Sequence, residues 1–227
     1  MNKPLDKTLY WYGSDSQENF LNNKKNNNNL LKSLGWLDQE VTYEINSLGF
    51  RSDDFTSEPS VMFLGCSFTV GIGVNLENTW TNLVSTGLNL KSSNLGVGGG
   101  SCDTAFRLCF DYIDIIKPKL VIIMPPSPYR YEIFLQDNKD PTLLGPWAKR
   151  SDHYRTWSAI EHNVKYQKLK NILAIEKLCI DRSINFYNTD NNTNINKISS
   201  DKHGRDLCHP GINWHAMIAN EILNDLT

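Results

Sequence analysis

Two short runs, Val61-Met62-Phe63-Leu64 and Leu120-Val121-Ile122-Ile123-Met124, are apolar at every position and too short to be helices. A strand apolar on both faces is buried on both, the condition of a strand inside a parallel sheet covered by helices. Longer segments with apolar residues at helical spacing alternate with these runs. Glu77–Leu88 puts Trp80, Leu83 and Val84 on one face. The segment after Ser101, a plausible N-cap, carries Ala105, Leu108, Cys109, Tyr112, Ile113 and Ile116 and stops at Pro118. Residues 155–181 read as one long helix with Ile160, Val164, Ile172, Leu173 and Leu178 inward. Pro210 opens a last helix with Ile212, Met217, Ile218, Ile222 and Leu223 apolar. A weaker strand is expected at Ser93–Val97 and a further strand at Ile184–Tyr187. This alternation predicts an α/β fold: a three-layer α/β/α sandwich with a mostly parallel sheet over residues 58–227. Ligands of such sheets bind beyond the carboxyl ends of the strands.

Residues 1–57 read as an irregular N-terminal extension or cap. It holds the aromatic Tyr10-Trp11-Tyr12, a polar low-complexity loop at Asn22–Asn29, and an alternating Thr42–Asn46 strand followed by a turn at Gly49. Residues 127–152 read as a long loop containing Pro and aromatic residues, a length typical of lids and binding loops.

The 227 residues carry 23 basic and 25 acidic side chains, a net charge of −2, with no dense Lys/Arg block. That argues against nucleic acid or an anionic membrane as a partner. No apolar run approaches the ~20 residues of a membrane span. The start, Met1 to Lys7, has no apolar leader region, so a cytoplasmic location is the expectation. Cys66, Cys102, Cys109, Cys179 and Cys208 form no CxxC pair, which favours a reducing compartment over a disulfide framework. Asp201, His203, Asp206, Cys208, His209 and His215 lie close together but without metal-ligand spacing, so no metal is expected.

Three segments could carry chemistry. Ser67, in Gly65-Cys66-Ser67-Phe68-Thr69, follows the first buried strand directly, where a turn can present a hydroxyl beside free backbone N–H groups. Alone, a serine there is far more often just a small polar residue in a tight turn. Cys66 and Cys208 are alternative thiol nucleophiles; if Ser67 faces the site on extended backbone, Cys66 faces the core. Asp206 precedes His209 by three residues, close enough to hold Nδ1–H and leave Nε2 as a general base. Alone the pair is equally a helix-capping Asp beside a surface His. Asn94-Leu95-Gly96-Val97-Gly98-Gly99-Gly100-Ser101 matches neither the dinucleotide nor the P-loop spacing, which leaves a backbone donor or a tight packing turn.

Taken together and in this order, the segments resemble the SGNH (GDSL-like) hydrolase superfamily. Gly65-Cys66-Ser67 stands where that family has Gly-Asp-Ser, Gly99 follows Asn94 by five residues as its oxyanion glycine does, and Asp206 and His209 match its Asp-x-x-His. Asn46-Ser47-Leu48-Gly49-Phe50-Arg51 resembles a lead-in of microbial and phage-type members. The resemblance spans roughly residues 43–226 and implies a flavodoxin-like fold, a Ser67–His209–Asp206 triad and no cofactor. The third block departs: in place of Gly-x-Asn-Asp the chain has Pro125-Pro126-Ser127-Pro128-Tyr129-Arg130, so Ser127 stands near the position of the missing oxyanion Asn. Ser127 is expected to approach the oxyanion, with Arg130 and Tyr129 as substrate contacts, unless Arg130 merely pairs with Glu132. The implied activity is hydrolysis of a small-molecule or carbohydrate ester, such as an acetyl ester. The alternatives are acyl transfer to a sugar hydroxyl by the same residues and a non-catalytic binding module. The oligomeric state is not legible.

Overall fold

The structure is a computed structural model and describes residues 7–56, 58–135, 140–148, 151–199 and 203–226. The start read above for a leader, up to residue 6, and Asp201 of the metal candidates lie outside the described residues. In chain order the elements are β1 (Lys7–Leu9), α1 (Gln17–Asn26), α2 (Asn28–Ser33), β2 (Tyr43–Ile45), β3 (Ser60–Leu64), α3 (Ser67–Val70), α4 (Trp80–Gly87), β4 (Lys91–Asn94) and α5 (Cys102–Ile116). β5 (Leu120–Ile123), β6 (Tyr131–Ile133), β7 (Thr142–Leu144), α6 (Asp152–Ser158), α7 (Glu161–Ile180), β8 (Asn185–Asn188) and α8 (Ile212–Leu226) follow.

The expected parallel sheet is present, in the order β4-β3-β5-β8. Alternation along its two central strands divides the core. Met62, Leu64, Val121 and Ile123 join the cluster with α5 and α7, whereas Val61, Phe63, Leu120 and Ile122 join the cluster with α4 and α8. The result is three layers. Each of these eight side chains is buried, worth about 1.5–3 kcal/mol apiece. That far exceeds the ~0.2–1 kcal/mol of a surface ion pair such as Lys91–Glu58. The chain leaves β3 for β4 on one side and crosses to β5 on the other, so the carboxyl ends of β3 and β5 flank the switch point where open α/β sheets take ligands.

Local chemistry shifts several expected boundaries. The Thr79 hydroxyl accepts the Asn82 amide, so α4 begins at Trp80 and a 3-10 turn occupies Leu76–Asn78. Ser101 and Thr104 form a capping box for α5, which ends as Lys117 turns left-handed before Pro118. The expected 155–181 helix is two helices broken at Ala159 and Ile160, and its inward face differs from the one read in the sequence. Ile160 and Leu173 are exposed, while Val164, Gln167, Asn171, Ile175 and Cys179 are buried. The two buried amides are tolerated because Asp103 accepts from Gln167 at 2.6 Å and from Asn171 at 2.7 Å. Met217, expected to be inward on α8, is exposed.

The extension is not irregular. β1 and β2 pair antiparallel, and Asn22–Asn29, expected to be a loop, falls mostly in α1 and α2. Ser16 caps α1, and Asn26–Asn22 and Asn27–Asn23 amide bonds run along it, which offsets the poor helix propensity of Asn. Leu31, Trp36, Val41, Tyr43 and Ile45 form a core with Val74 from the main body. The 127–152 loop likewise contains a hairpin, β6 with β7, in register Tyr131 with Leu144.

Candidate active site

The Ser67 side of the site is fastened to strand ends. A Cβ on Gly65 would collide with the Thr69 hydroxyl and come within 2.9 Å of the Met124 carbonyl, so only glycine lets β3 run straight into α3. The Gly65 carbonyl accepts the Val97 amide at 3.1 Å. Asn94, at the end of β4, donates to the Thr69 carbonyl at 2.8 Å and accepts the Gly96 amide at 2.9 Å. Ser67 is the first residue of α3 and 7% exposed; neither its hydroxyl nor its amide has a partner among the described residues. Because α3 begins at Ser67, the alternation rule for extended backbone does not apply. Cys66 is half-buried rather than turned into the core. Gly99 lies in the left-handed region at φ 76°, and its amide is also without a partner among the described residues. A Cβ there would sit 3.4 Å from the Trp147 ring, which covers this turn.

The Asp206–His209 side stands on a loop that reverses at Leu207, φ 54°. Asp206 Oδ1 accepts the amides of Cys208 and His209, both at 3.0 Å, and Oδ2 lies 2.6 Å from His209 Nδ1. Burial pushes the Asp206 carboxyl up, but the His209 ring, the Ser14 hydroxyl and the Cys208 amide together hold it below its ordinary value. It therefore stands as a carboxylate aimed at Nδ1. Phe68, next to Ser67, meets the His209 ring edge-on at 5.7 Å, and the Arg205 amide donates to the Gly73 carbonyl at 2.9 Å. The two loops are thus in contact. No hydrogen bond joins Ser67 to His209; in sites without substrate this link is commonly long and tightens on binding.

After β5, Pro125 and Pro126 offer no N–H. The Ser127 hydroxyl accepts the Tyr129 amide at 3.4 Å, and its carbonyl accepts the Arg130 amide at 3.2 Å. The Arg130 guanidinium reaches the Gly100 carbonyl at 3.5 Å and lies 5.4 Å from the Trp147 ring centre. It does not pair with Glu132, which is held by Arg107 at 2.7 Å and Thr104 at 2.9 Å. Arg130 thus ties the hairpin region to the glycine turn. Tyr129, by contrast, lines an open groove of about 600 Å³ with Val164, Lys168, Ile172 and Phe186.

Four residues near the site had gone unread in the sequence: Ser14, Asp15, Trp147 and Arg205. The Ser14 hydroxyl donates to Asp206 Oδ2 at 2.7 Å and lies 3.2 Å from His209 Nδ1. Arg205, beside Asp206, forms a buried ion pair with Asp15 at 2.8 Å. Such long-range partners leave no periodicity; the only visible sign was the adjacent opposite charges of Arg205 and Asp206. Among the described residues, no three His, Cys, Asp or Glu side chains are placed to hold a metal ion. His215 is fully buried, its Nδ1 accepting the Trp80 amide at 3.2 Å.

No family model matches the chain, and no curated protein matches it in sequence. Solved structures do. It is similar to the psychrotrophic esterase EstA from Pseudoalteromonas sp., at 12% identity and TM-score 0.42, over 74% of this chain and 97% of that one. It is similar to a putative lipolytic protein of the G-D-S-L family from Desulfitobacterium hafniense, at 12% identity and TM-score 0.40, over 73% and 98%. It is also similar to a carbohydrate acetylesterase family member from Sinorhizobium meliloti, at 11% identity and TM-score 0.39, over 74% and 97%. At these values no chemistry is carried over, and what the site does rests on this chain's own residues. No helix among the described residues is long and apolar enough to cross a membrane.

Proposed function

We propose that the chain is an SGNH-type serine hydrolase that cleaves an ester of a small acyl group, such as an acetyl on a carbohydrate. The observation that carries this reading is the buried Asp206 carboxylate 2.6 Å from His209 Nδ1. It fixes the imidazole and leaves Nε2 to take a proton, on a loop that touches the segment after Ser67. Ser67 Oγ attacks the acyl carbonyl carbon while His209 Nε2 accepts the hydroxyl proton. The tetrahedral oxyanion is met by the unengaged amides of Ser67 and Gly99, with the Ser127 hydroxyl as a third donor. Collapse breaks the ester C–O bond, and the leaving alcohol takes the proton from His209. Water then repeats the sequence on the acyl-Ser67 and releases the acid. Asp206 stabilises the imidazolium in both halves.

The test is hydrolysis of p-nitrophenyl acetate by the wild type and by Ser67→Ala. The alanine variant is expected to lose at least about 10⁴-fold in turnover. Its thermal midpoint should stay within a degree or two of wild type, because the hydroxyl holds nothing in the fold. Wild-type turnover in the variant would place the nucleophile elsewhere, with Cys66 tested next. Acyl transfer to an added sugar in preference to water would recast the same residues as an O-acyltransferase.

A further inference from the structure

We propose that the N-terminal extension completes this site, with Ser14 as a positioning residue for the Asp206–His209 couple. The proposal rests on the hydrolase reading above. Ser14 lies in a tight turn closed by two backbone bonds between Tyr12 and Asp15, at 2.9 and 3.1 Å. Side chains hold that turn in place from both sides. Asp15 is fully buried and accepts from Arg205 Nε at 3.0 Å and Nη2 at 2.8 Å. It also accepts the Tyr43 hydroxyl at 2.6 Å, and that hydroxyl accepts the Gly73 amide at 2.9 Å. Arg205 further donates to the Tyr10 carbonyl at 2.7 Å and lies 4.3 Å from the Trp11 ring centre. The turn is therefore fixed both to the residue beside Asp206 and to the loop that follows Ser67.

A hydroxyl has one proton, and at 2.7 Å it goes to Asp206 Oδ2, the oxygen that also takes His209 Nδ1–H. Oδ1 is already saturated by two amides. Ser14 thus supplies the last bond that fixes the carboxylate, and it draws charge from the oxygen facing the imidazole. The titratable groups around His209 are Asp206 and Cys208 on its own loop, His215 from α8, and the mutually neutralising Asp15–Arg205 pair at the extension. Among the described residues, Asp206 is the charged group hydrogen-bonded to it. Removing the Ser14 hydroxyl leaves Oδ2 with more charge and only the imidazole to meet it. The imidazolium is then held more tightly, and proton return to the leaving group becomes harder.

The experiment compares full-length wild type, Ser14→Ala and Ser14→Thr by kcat and KM for an acetate ester across pH, by thermal midpoint, and by NMR titration of the His209 ring. Ser14→Ala is expected to lower kcat roughly tenfold, the scale of one charge-assisted hydrogen bond, with KM unchanged. Its acid limb should move to higher pH, the ring titration should move with it, and Ser14→Thr should restore both. Wild-type kcat and pH profile in Ser14→Ala overturn the proposal, as does a loss that only follows the thermal midpoint and resists rescue by Thr. If the wild type turns over no ester, the hydrolase reading fails and the ring titration alone decides. A shift in Ser14→Ala then keeps the positioning role, and an unmoved titration ends it.

Discussion

Ser67 and Gly99 stand where strands of the sheet end, fastened by Gly65, Asn94 and the backbone of their own turns. Asp206 and His209 stand on a loop with no strand beneath it, held by side chains from residues 10–43. The first half is built by the sheet, from contacts that follow directly from a buried strand running into a helix. The second half is held where Arg205, Asp15, Ser14 and Tyr43, nearly two hundred residues apart in the chain at the extremes, come together. The difference matters for chemistry. A nucleophile and amide donors need position alone, and secondary structure supplies position. On the proposed reading His209 is a general base, which also needs a tuned partner, and this polar network would supply it.

The sharpest way to break this division is to compare His209→Ala with Asp206→Asn. Removing the base should cost on the order of 10⁶-fold in kcat, whereas removing only the charge that orients it should cost on the order of 10⁴-fold. Neither change should alter the binding of an ester analogue more than a few-fold, because the Ser67 half is fastened independently. Steady-state kinetics with an acetate ester and binding of a non-hydrolysable analogue measure both quantities. Equal losses in the two variants, or lost analogue binding, would show that the halves are one unit.

The same division explains what was legible in the sequence. Val61–Leu64 and Leu120–Ile123 announced themselves by being apolar on both faces, and their carboxyl ends located Ser67 and the Pro125–Ser127 turn. The Asp206 to His209 spacing was visible because three residues is a local distance. Ser14 was not, because nothing in Tyr12-Gly13-Ser14-Asp15 shows that it meets a loop from the far end of the chain. The inward face of α7 was misread because Gln167 and Asn171 occupy core positions and break the apolar period; their partner, Asp103, lies on another helix. The β6–β7 hairpin was missed because its three-residue strands are only half-buried and carry no clean alternation.

A second prediction separates the frame from the Asp206–His209 loop by pH. His215, on the helix just beyond the loop, is pushed down to about 3 by burial first and then by the Arg51 guanidinium. Among the described residues its Nε2 is buried without a partner, while Nδ1 accepts from the first amide of α4. The folded value lies below the unfolded ~6.5, so between the two the unfolded chain binds the extra proton. This contribution to stability is complete above pH ~6.5 and falls as pH drops towards 3, by up to about 1.4 kcal/mol per pH unit. Asp206, also depressed, contributes above its unfolded ~3.9 and loses that only at lower pH. Urea unfolding at pH 6.5 and 4.5 should therefore show a steeper loss in wild type than in His215→Asn, which keeps an acceptor for the Trp80 amide. Identical slopes would mean that the imidazole is protonated in the fold.

The smallest expected effect tests where the oxyanion is held. On the proposed reading two oxyanion donors, the Ser67 and Gly99 amides, belong to the sheet-built half, and the Ser127 hydroxyl is the third. The Ser127 hydroxyl accepts the Tyr129 amide, which orients the oxygen and leaves its proton to donate. The bond is neutral and its anchor is long at 3.4 Å. The loss in Ser127→Ala should therefore be roughly tenfold in kcat, below the ~10²–10³ of a dedicated oxyanion donor. KM should be unchanged, since the bond strengthens only as charge develops. Arg130→Ala should behave differently: it frees Trp147 and the glycine turn from the hairpin region, so KM rises while kcat changes less. If Ser127→Ala keeps full kcat, the oxyanion is held by the two sheet-built amides alone, and the hairpin region only covers the site. If Arg130→Ala lowers kcat as Ser127→Ala does, the turn that presents Gly99 depends on Arg130, and the sheet-built half extends into the loop after β5.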